Sequence, residues 1–284
     1  WWLVRRKRAG KPTLLDPDLF KAKLFRFGAT GQLLQQIALG GTMIALPIYL
    51  QIVLEYNAML AGLSIAPLSL SMFAVALLAG KRGGRRRPAA IIRAGFFLLA
   101  VGMVIIVPIV PRASSGWWLV LPLLIAGSGL GLLVSQLNNY TLAPISEERV
   151  SEAAGVNSAG GSFGLSFGLA FAGAILLMTL SFSFTNLSKQ STILSPSEQQ
   201  QVATALEHDA EVVSTTQLDK QLAGQPEATK NEILRINTQA SHRALQVALF
   251  VPIVAALIGL ATSFRMVRLP DPQQSGSAEG MVLG

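Results

Sequence analysis

The chain has no cysteine and few charges. Among its 284 residues are no Cys, two His and only 13% Asp, Glu, Lys and Arg. Without thiols, neither disulfides nor thiolate-ligated metal sites can form. No acidic pair, His-rich cluster or nucleophile–base combination stands out either, so we predict no enzyme, no metal site and no cofactor.

The shortage of charge indicates long uncharged segments, because a soluble domain usually has about 25% charged residues. Six runs of 18 to 33 residues lack Asp, Glu, Lys, Arg and His. About 20 helical residues cross the hydrocarbon core of a bilayer, so each run is long enough, or nearly so, to span it. The runs are Phe27–Leu50, Met59–Gly80, Ala94–Pro111, Trp117–Ser146, Ala153–Thr185 and Ala244–Phe264.

These runs predict an all-α membrane protein with a bundle of six transmembrane helices. Backbone groups in hydrocarbon must bond to one another, which leaves helices or closed barrels. The alternating polarity of barrel strands is absent. Buried helices of a large soluble protein are the other alternative, but six such long uncharged runs in one chain argue against it.

The composition changes along the chain and suggests five segments. Trp1–Val4 resembles the last turn of an earlier helix, so we expect a truncated chain. Pro226 is expected to open a helix that runs into the sixth span. The segments are a basic linker with the end of a preceding helix (1–26), spans one to five (27–181), a partly helical extracytoplasmic loop (182–243), span six (244–268) and a disordered tail (269–284).

The distribution of basic residues predicts the orientation. Of 23 Lys and Arg, 17 lie on one side of a six-span topology, and five of the other six lie in the long loop. The positive-inside rule then places both ends in the cytoplasm. The net charge of +8 invites a nucleic-acid interpretation, but no aromatic-interleaved basic surface supports it.

Amides and hydroxyls concentrate in two of the spans. Unpartnered amides in hydrocarbon are costly, so these side chains should face protein or a water-filled cavity. They could simply hold helices together, but three Gln within five residues and a pair of Asn favour the lining of a substrate cavity. The predicted lining residues are Gln32, Gln35 and Gln36 in span one and Ser135, Gln136, Asn138 and Asn139 in span four.

Small residues recur in span five at intervals of four. Gly160, Gly164 and Gly168 are followed by Ala172. Such a series lets another helix backbone approach closely, so we expect helix packing here, with a rocking contact as the alternative. Spans three and six carry little polarity and are expected to face lipid.

Three stretches together resemble the C-terminal half of the major facilitator superfamily, most closely its fourteen-span drug:proton antiporters. The first runs from Leu46-Pro47-Ile48-Tyr49-Leu50-Gln51 to Ala61-Gly62-Leu63-Ser64-Ile65-Ala66-Pro67. The second is the basic turn Lys81–Arg87, and the third is Gly155-Val156-Asn157. The resemblance implies that spans one and four line a central cavity, that spans three and six lie outermost, and that Arg85 and Arg86 make gating contacts.

The resemblance implies proton-coupled export of hydrophobic or cationic small molecules by alternating access. The proton gradient would supply the energy, and the partners would be the lipid bilayer, a small-molecule substrate and a missing N-terminal half. None of the six runs contains an acid, so the coupling carboxylates are expected in that other half, and this chain alone should not transport. A non-transporting membrane scaffold or assembly subunit is the alternative.

Overall fold

The computed structural model describes Arg5, Gln199 and residues 16–81, 87–197 and 214–269. Eight α-helices have both ends in these ranges, and no β-strand lies there. Arg85, Arg86, most of the basic linker and nearly all of the tail fall outside the described residues. The helices are α1 (Lys23–Ile48), α2 (Ala58–Lys81), α3 (Pro88–Ile109), α4 (Val120–Leu142), α5 (Val150–Lys189), α6 (Thr215–Gln221), α7 (Glu227–Ala248) and α8 (Phe250–Val267).

Six helical segments are long and apolar enough to cross a membrane, which confirms the predicted all-α bundle. The first five are built on α1 to α5, and α7 and α8 join at Leu249 to form the sixth. As expected, Pro226 caps the start of α7. Residues 182 and 243 both lie within helices, so the long connection includes the ends of α5 and α7.

The spans form two rows. In the first row, α4 and α1 contact each other, with α2 packed on the other side of α4 and α5 on the other side of α1. In the second row, α3 contacts α4 while α8 contacts α1, and α3 and α8 contact each other. Exchanging the first three spans with the last three reproduces this pattern, which is typical of an internal repeat. We call the end that carries α6 the cap side and the end at residues 16–21 the linker side.

Glycines allow the outer helices of the first row to touch the central ones. A Cβ on Gly164 of α5 would lie 2.6 Å from the carbonyl oxygen of Leu33 in α1, and one on Gly168 would collide with that of Ile37. On the other side, Cβ atoms on Gly127 and Gly131 of α4 would meet carbonyl oxygens of α2. The close approach therefore follows from small residues at both contacts.

The spans at the two ends of the first row are the least buried. Only 17% of the apolar window of α2 and 28% of that of α5 is buried, against 44% or more for the other four spans. Spans three and six, which were expected to be outermost, are about half covered, since α3 and α8 pack on each other and on the first row. Their contact with lipid stays a prediction. Both α2 and α5 expose large apolar side chains, among them Leu63, Leu70, Phe73, Phe163, Phe167 and Met178.

Helix α5 extends well beyond the membrane on the cap side. Its 40 residues correspond to about 60 Å, twice the hydrocarbon thickness of roughly 30 Å. Its last turns pack against α7. There the Ser191 hydroxyl donates to Glu232 (2.7 Å), and Arg235 binds the same carboxylate through Nε and Nη2, each at 2.8 Å. The described part of the connection between spans five and six thus forms a structured cap.

A carboxylate ties this cap to the first turn of the bundle. Glu55, which follows α1, has a positive φ of 54°, a conformation that a non-glycine residue rarely adopts. Its carboxylate accepts hydrogen bonds from the Thr216 hydroxyl and, at 2.6 Å, from the Thr216 backbone N–H. These hydrogen bonds, the hydroxyl first, hold the pKa of Glu55 below its usual value. On its other side α6 contacts α7 through an Asp219–Lys230 ion pair of 2.9 Å.

We expect Glu55→Ala to release α6 from the first turn, because Thr216 loses both acceptors. Nitroxide labels on Met59→Cys and Gln221→Cys can report this by electron–electron distance measurement, since the chain has no native cysteine. The distance distribution should broaden in Glu55→Ala, broaden less in Thr216→Val, which keeps the backbone N–H, and stay unchanged in Glu227→Ala.

The same contact should depend on pH in one direction. The lowered pKa means that ionised Glu55 stabilises the contact fully at pH values above the unfolded-state pKa of 4.5. This stabilisation is lost as the pH falls through the lowered pKa of the folded state. The label distance should therefore be the same at neutral and mildly acidic pH and broaden only below 4.5. Broadening already near neutral pH would contradict the assignment.

On the linker side, an ion-pair network holds the segment before α1. Arg149 contacts Asp16 (2.9 Å) and Glu152 (3.3 Å), and the Asp16 backbone N–H donates to Glu152 at 2.7 Å. Beneath this network, Leu19 and Phe25 are buried against the start of α5. The approach to the membrane is thereby fixed to the turn between α4 and α5.

Candidate functional site

The contact between α1 and α5 carries two of the predicted lining residues. The Gln32 amide nitrogen lies 3.4 Å from the position of a Cβ on Gly161, and Cγ of Gln36 lies 3.6 Å from it. Both side chains are half-buried. They occupy the surface of α1 that glycines of α5 leave open, so the absence of side chains on α5 makes room for amides on α1.

Two other predicted lining residues are enclosed by the bundle. Gln35 is 2% exposed and Gln136 is 7% exposed. Neighbouring positions on a helix differ by about 100°, so Gln35 cannot share the direction of Gln36, nor Gln136 that of Ser135. These two amides therefore lie inside the chain's own packing, away from the open surface.

The remaining predicted residues lie along an open stripe of α4. Ser135 is half-buried, while Asn138 and Asn139 are exposed, and Ser128 two turns earlier is also accessible. The opposite surfaces of α4 are occupied by α2 and α3. The stripe therefore provides hydroxyls and amides that stay accessible at the surface of the bundle. Its role in lining a cavity stays a prediction.

Asn157 of α5 lies between the amides of α1 and the polar stripe of α4. It was not among the predicted site residues. It is 4% exposed, and its Nδ2 donates to Oδ1 of Asn138 at 3.2 Å. One turn further along α5 is Gly161, which lies beside Gln32. Asn157 thus connects the α1–α5 contact with the stripe of α4. A signal was available, since an Asn one turn before a series of glycines lies on the same face of the helix.

Three amide oxygens in this part of the bundle lack a donor, and two of them, on Asn157 and Gln36, lie at the contact of α5 with its neighbours. Oδ1 of Asn157 and Oε1 of Gln35 and Gln36 are buried and have no hydrogen-bond partner in the described part of the chain. A buried acceptor without a donor is unfavourable by about 1–3 kcal/mol. The site can therefore accept hydrogen bonds from a guest, whether water or a molecule with N–H or O–H groups.

The glycine series of α5 differs from its prediction at one position. Gly164, Gly168 and Ala172 are buried, and the first two lie against the backbone of α1, but a Cβ on Gly160 would have no neighbour within 4 Å. Gly161 is the member of the series that faces α1. Since a helix has 3.6 residues per turn, repeated steps of four rotate away from one face, and a step of three restores the direction.

The polar groups of the site are neutral amides and hydroxyls, which interact through their dipoles. No acid or base occurs in the six uncharged runs, and the described residues hold no group of three or more His, Asp or Glu able to bind a metal ion. Amide and hydroxyl groups beside an apolar bundle can bind and orient a small molecule. The fold and this surface define a multi-pass helical membrane protein with polar groups at its central helices.

Comparison with known proteins identifies the family. The family model of the Major Facilitator Superfamily matches residues 2–169, more than half of the chain. The chain therefore belongs to the Major Facilitator Superfamily, a family of membrane transporters, which confirms the resemblance drawn from the sequence.

The curated relatives are named as transporters and drug-resistance proteins. The chain is 26% identical over 175 residues to the probable actinorhodin transporter of Streptomyces coelicolor, covering 61% of this chain and 30% of that protein. It is 27% identical over 180 residues to multidrug resistance protein Stp of Mycobacterium tuberculosis (63% and 33%). It is 28% identical over 181 residues to putative multidrug resistance protein MdtD of Yersinia pestis (62% and 37%). The chain thus spans about a third of the length of these relatives.

Proposed function

We propose that this chain is the C-terminal half of a proton-coupled exporter of hydrophobic or cationic small molecules. Membership of a transporter family and relatives named as multidrug resistance proteins support this proposal. In the proposed topology both ends are cytoplasmic, the cap formed by α6 and α7 is extracytoplasmic, and the protein resides in the plasma membrane.

The observation that carries the substrate class is the set of amide oxygens without donors. Asn157 and Gln36 present buried acceptors where α1, α4 and α5 meet. Carbonyl oxygens without a fixed carboxylate suit N–H donors of a cation or a neutral amine, while the surrounding apolar surface suits a hydrophobic body. A site with few fixed charges also tolerates guests that differ in shape.

Proton coupling and alternating access are part of the proposal. A titratable group within the membrane is required, and the six runs supply none. We place the coupling carboxylate in the N-terminal half of the complete transporter. The uncovered apolar sides of α2 and α5 suit contact with that half, and rocking of the two halves about the central site would expose it to each side in turn.

The test is export of ethidium by drug-hypersensitive cells that express the complete reading frame. We expect Gln36→Leu and Asn157→Leu each to slow efflux about ten-fold, which corresponds to the loss of one hydrogen bond to a cation. Gln221→Leu, an exposed amide on α6, is the matched control and should leave efflux unchanged. The polypeptide Trp1–Gly284 in liposomes with a proton gradient should not accumulate ethidium.

The same variants separate this proposal from the non-transporting scaffold. A scaffold would leave drug resistance unchanged in Gln36→Leu, Asn157→Leu and Asn139→Leu, provided that the variants reach the membrane at normal levels. Unchanged efflux in all three variants would overturn the assignment of the substrate site. Ethidium uptake by Trp1–Gly284 alone would overturn the division of function between two halves.

A further inference from the structure

The linker-side ends of α3 and α8 carry arginines that no described acid neutralises. Arg93 lies five residues into α3, and Arg265 and Arg268 lie at the end of α8. The two helices pack directly on each other. None of the three has an ion-pair partner among the described residues, and their position is independent of the proposed substrate site.

Arg93 faces α8. Its guanidinium carbon lies 5.5 Å above the centre of the Phe264 ring, a cation–π contact that positions the charge at the junction of the two helices. Arg268 lies one turn beyond Phe264 on the same side of α8, and Arg265 is adjacent to Phe264. Arginines from two helices therefore converge on one place at the membrane surface.

Three of the described acids on this side of the bundle are engaged by other cations. Asp16 and Glu152 bind Arg149, and Asp18 pairs with Lys21. Glu147 and Glu148 are in the turn between α4 and α5, and among the described residues neither forms an ion pair with Arg93, Arg265 or Arg268. Asp271 lies outside the described residues. The positive charge at the α3–α8 junction is thus uncompensated in the described structure.

The position within the membrane indicates which anion compensates it. Arg93 lies about 7.5 Å along α3 from its first residue, at the level where lipid head groups meet hydrocarbon. Guanidinium groups bind phosphate oxygens with two parallel hydrogen bonds. Directly toward the hydrocarbon, α3 and α8 expose Phe97 and Leu257, whose surfaces suit acyl chains. A ligand with a phosphate group and acyl chains can bind both the arginines and the apolar side chains.

We propose that the junction of α3 and α8 is a binding site for an anionic phospholipid, whose phosphate contacts Arg93 and Arg268 and whose chains lie along Phe97 and Leu257. The charge complementarity is specific to lipids with net negative charge. A zwitterionic lipid brings its own cation, which repels the arginines. The site therefore selects phosphatidylglycerol over phosphatidylcholine.

The test is native mass spectrometry of the purified protein, titrated with phosphatidylglycerol or phosphatidylcholine at equal concentration. Each cation near a membrane surface contributes about a five-fold factor to the binding of anionic lipid. We expect the wild type to prefer phosphatidylglycerol, Arg93→Gln and Arg268→Gln each to weaken its binding about five-fold, and the double variant to lose the preference. Arg112→Gln removes an exposed arginine on the cap side and is the matched control.

Further variants and a competition with phosphate distinguish a lipid site from a site for free phosphate. Arg268 is exposed, so Arg268→Gln tests the site even if Arg93→Gln folds poorly. Arg93→Lys should recover only part of the phosphatidylglycerol binding, because the planar stack on Phe264 is lost. Millimolar inorganic phosphate, with chloride as the ionic-strength control, should not displace the lipid. Equal binding of both lipids by the wild type, equal losses in Arg112→Gln and Arg268→Gln, or displacement by phosphate alone would overturn the proposal.

Discussion

Replacing Gly164 by alanine is expected to destabilise the protein, whereas the same change at Gly160, one helical turn away, is not. The added Cβ at Gly164 would lie 2.6 Å from the Leu33 carbonyl oxygen, and backbone cannot move aside as a side chain can. Overpacking of this kind costs about 1–3 kcal/mol. Thermal unfolding of the purified protein in detergent, followed by Trp fluorescence, should show a clearly lower midpoint for Gly164→Ala.

Gly160→Ala is the matched control, because it adds the same methyl group to the same helix where no atom lies within 4 Å. Its unfolding midpoint should equal that of the wild type or rise slightly, since alanine favours helix more than glycine does. Equal destabilisation by the two substitutions would show that α1 and α5 do not approach each other through Gly164.

Replacing Glu232 by alanine is expected to loosen the cap and lower the unfolding midpoint. The carboxylate is 5% exposed, accepts the Ser191 hydroxyl and binds Arg235 through two nitrogens. Hydrogen bonds to a charged group contribute about 1.5–3 kcal/mol, and the truncation leaves the Ser191 hydroxyl buried without its acceptor. Hydrogen–deuterium exchange should rise in α7 and in the last turns of α5.

The control for this prediction is Glu227→Ala, which removes an exposed acid from the first turn of the same helix. It should leave both exchange and unfolding close to wild type. Glu232→Gln keeps an acceptor for Ser191 but loses the charge opposite Arg235, so its midpoint should fall between those of the wild type and Glu232→Ala. If Glu232→Ala behaves like Glu227→Ala, the contact between α5 and α7 does not depend on this carboxylate.

The spans could be predicted from the sequence because the membrane imposes a simple rule on it. A segment such as Met59–Gly80 has no charge to solvate, and its backbone groups can bond only within a helix. Each of the six uncharged runs corresponds to a helical span of the structure. The start of α7 after Pro226 was predicted equally well, since proline is favoured at the beginning of a helix.

Details that depend on rotation about a helix axis were harder to predict. Intervals of four placed Gly160 in the packing series, yet Gly161 faces α1. Grouping Gln35 with Gln36 overlooked the 100° between neighbouring residues, and Gln35 is enclosed. The exposure of α2 follows from its place at the end of a row, which only tertiary packing determines.

Contacts between distant parts of the chain left no recognisable pattern in the sequence. Glu55 and Thr216 are 161 residues apart, and nothing about either residue indicates the other. Asn157 stood in the sequence only as a mark of family resemblance, and its hydrogen bond to Asn138 depends on how α4 and α5 meet. Such pairings are set by the fold as a whole, so a single sequence does not reveal them.

The unusual length of α5 has a mechanical consequence. A rigid rod of about 60 Å that tilts by about 10° around its linker-side end moves its far end by about 10 Å. Near that far end α5 is fastened to α7 through Ser191, and α6 is fastened to the turn after α1 through Glu55. A small rotation inside the bilayer would thereby be magnified into a large displacement at the opposite surface, and the contacts at Ser191 and Glu55 would carry it from α5 to the rest of the cap.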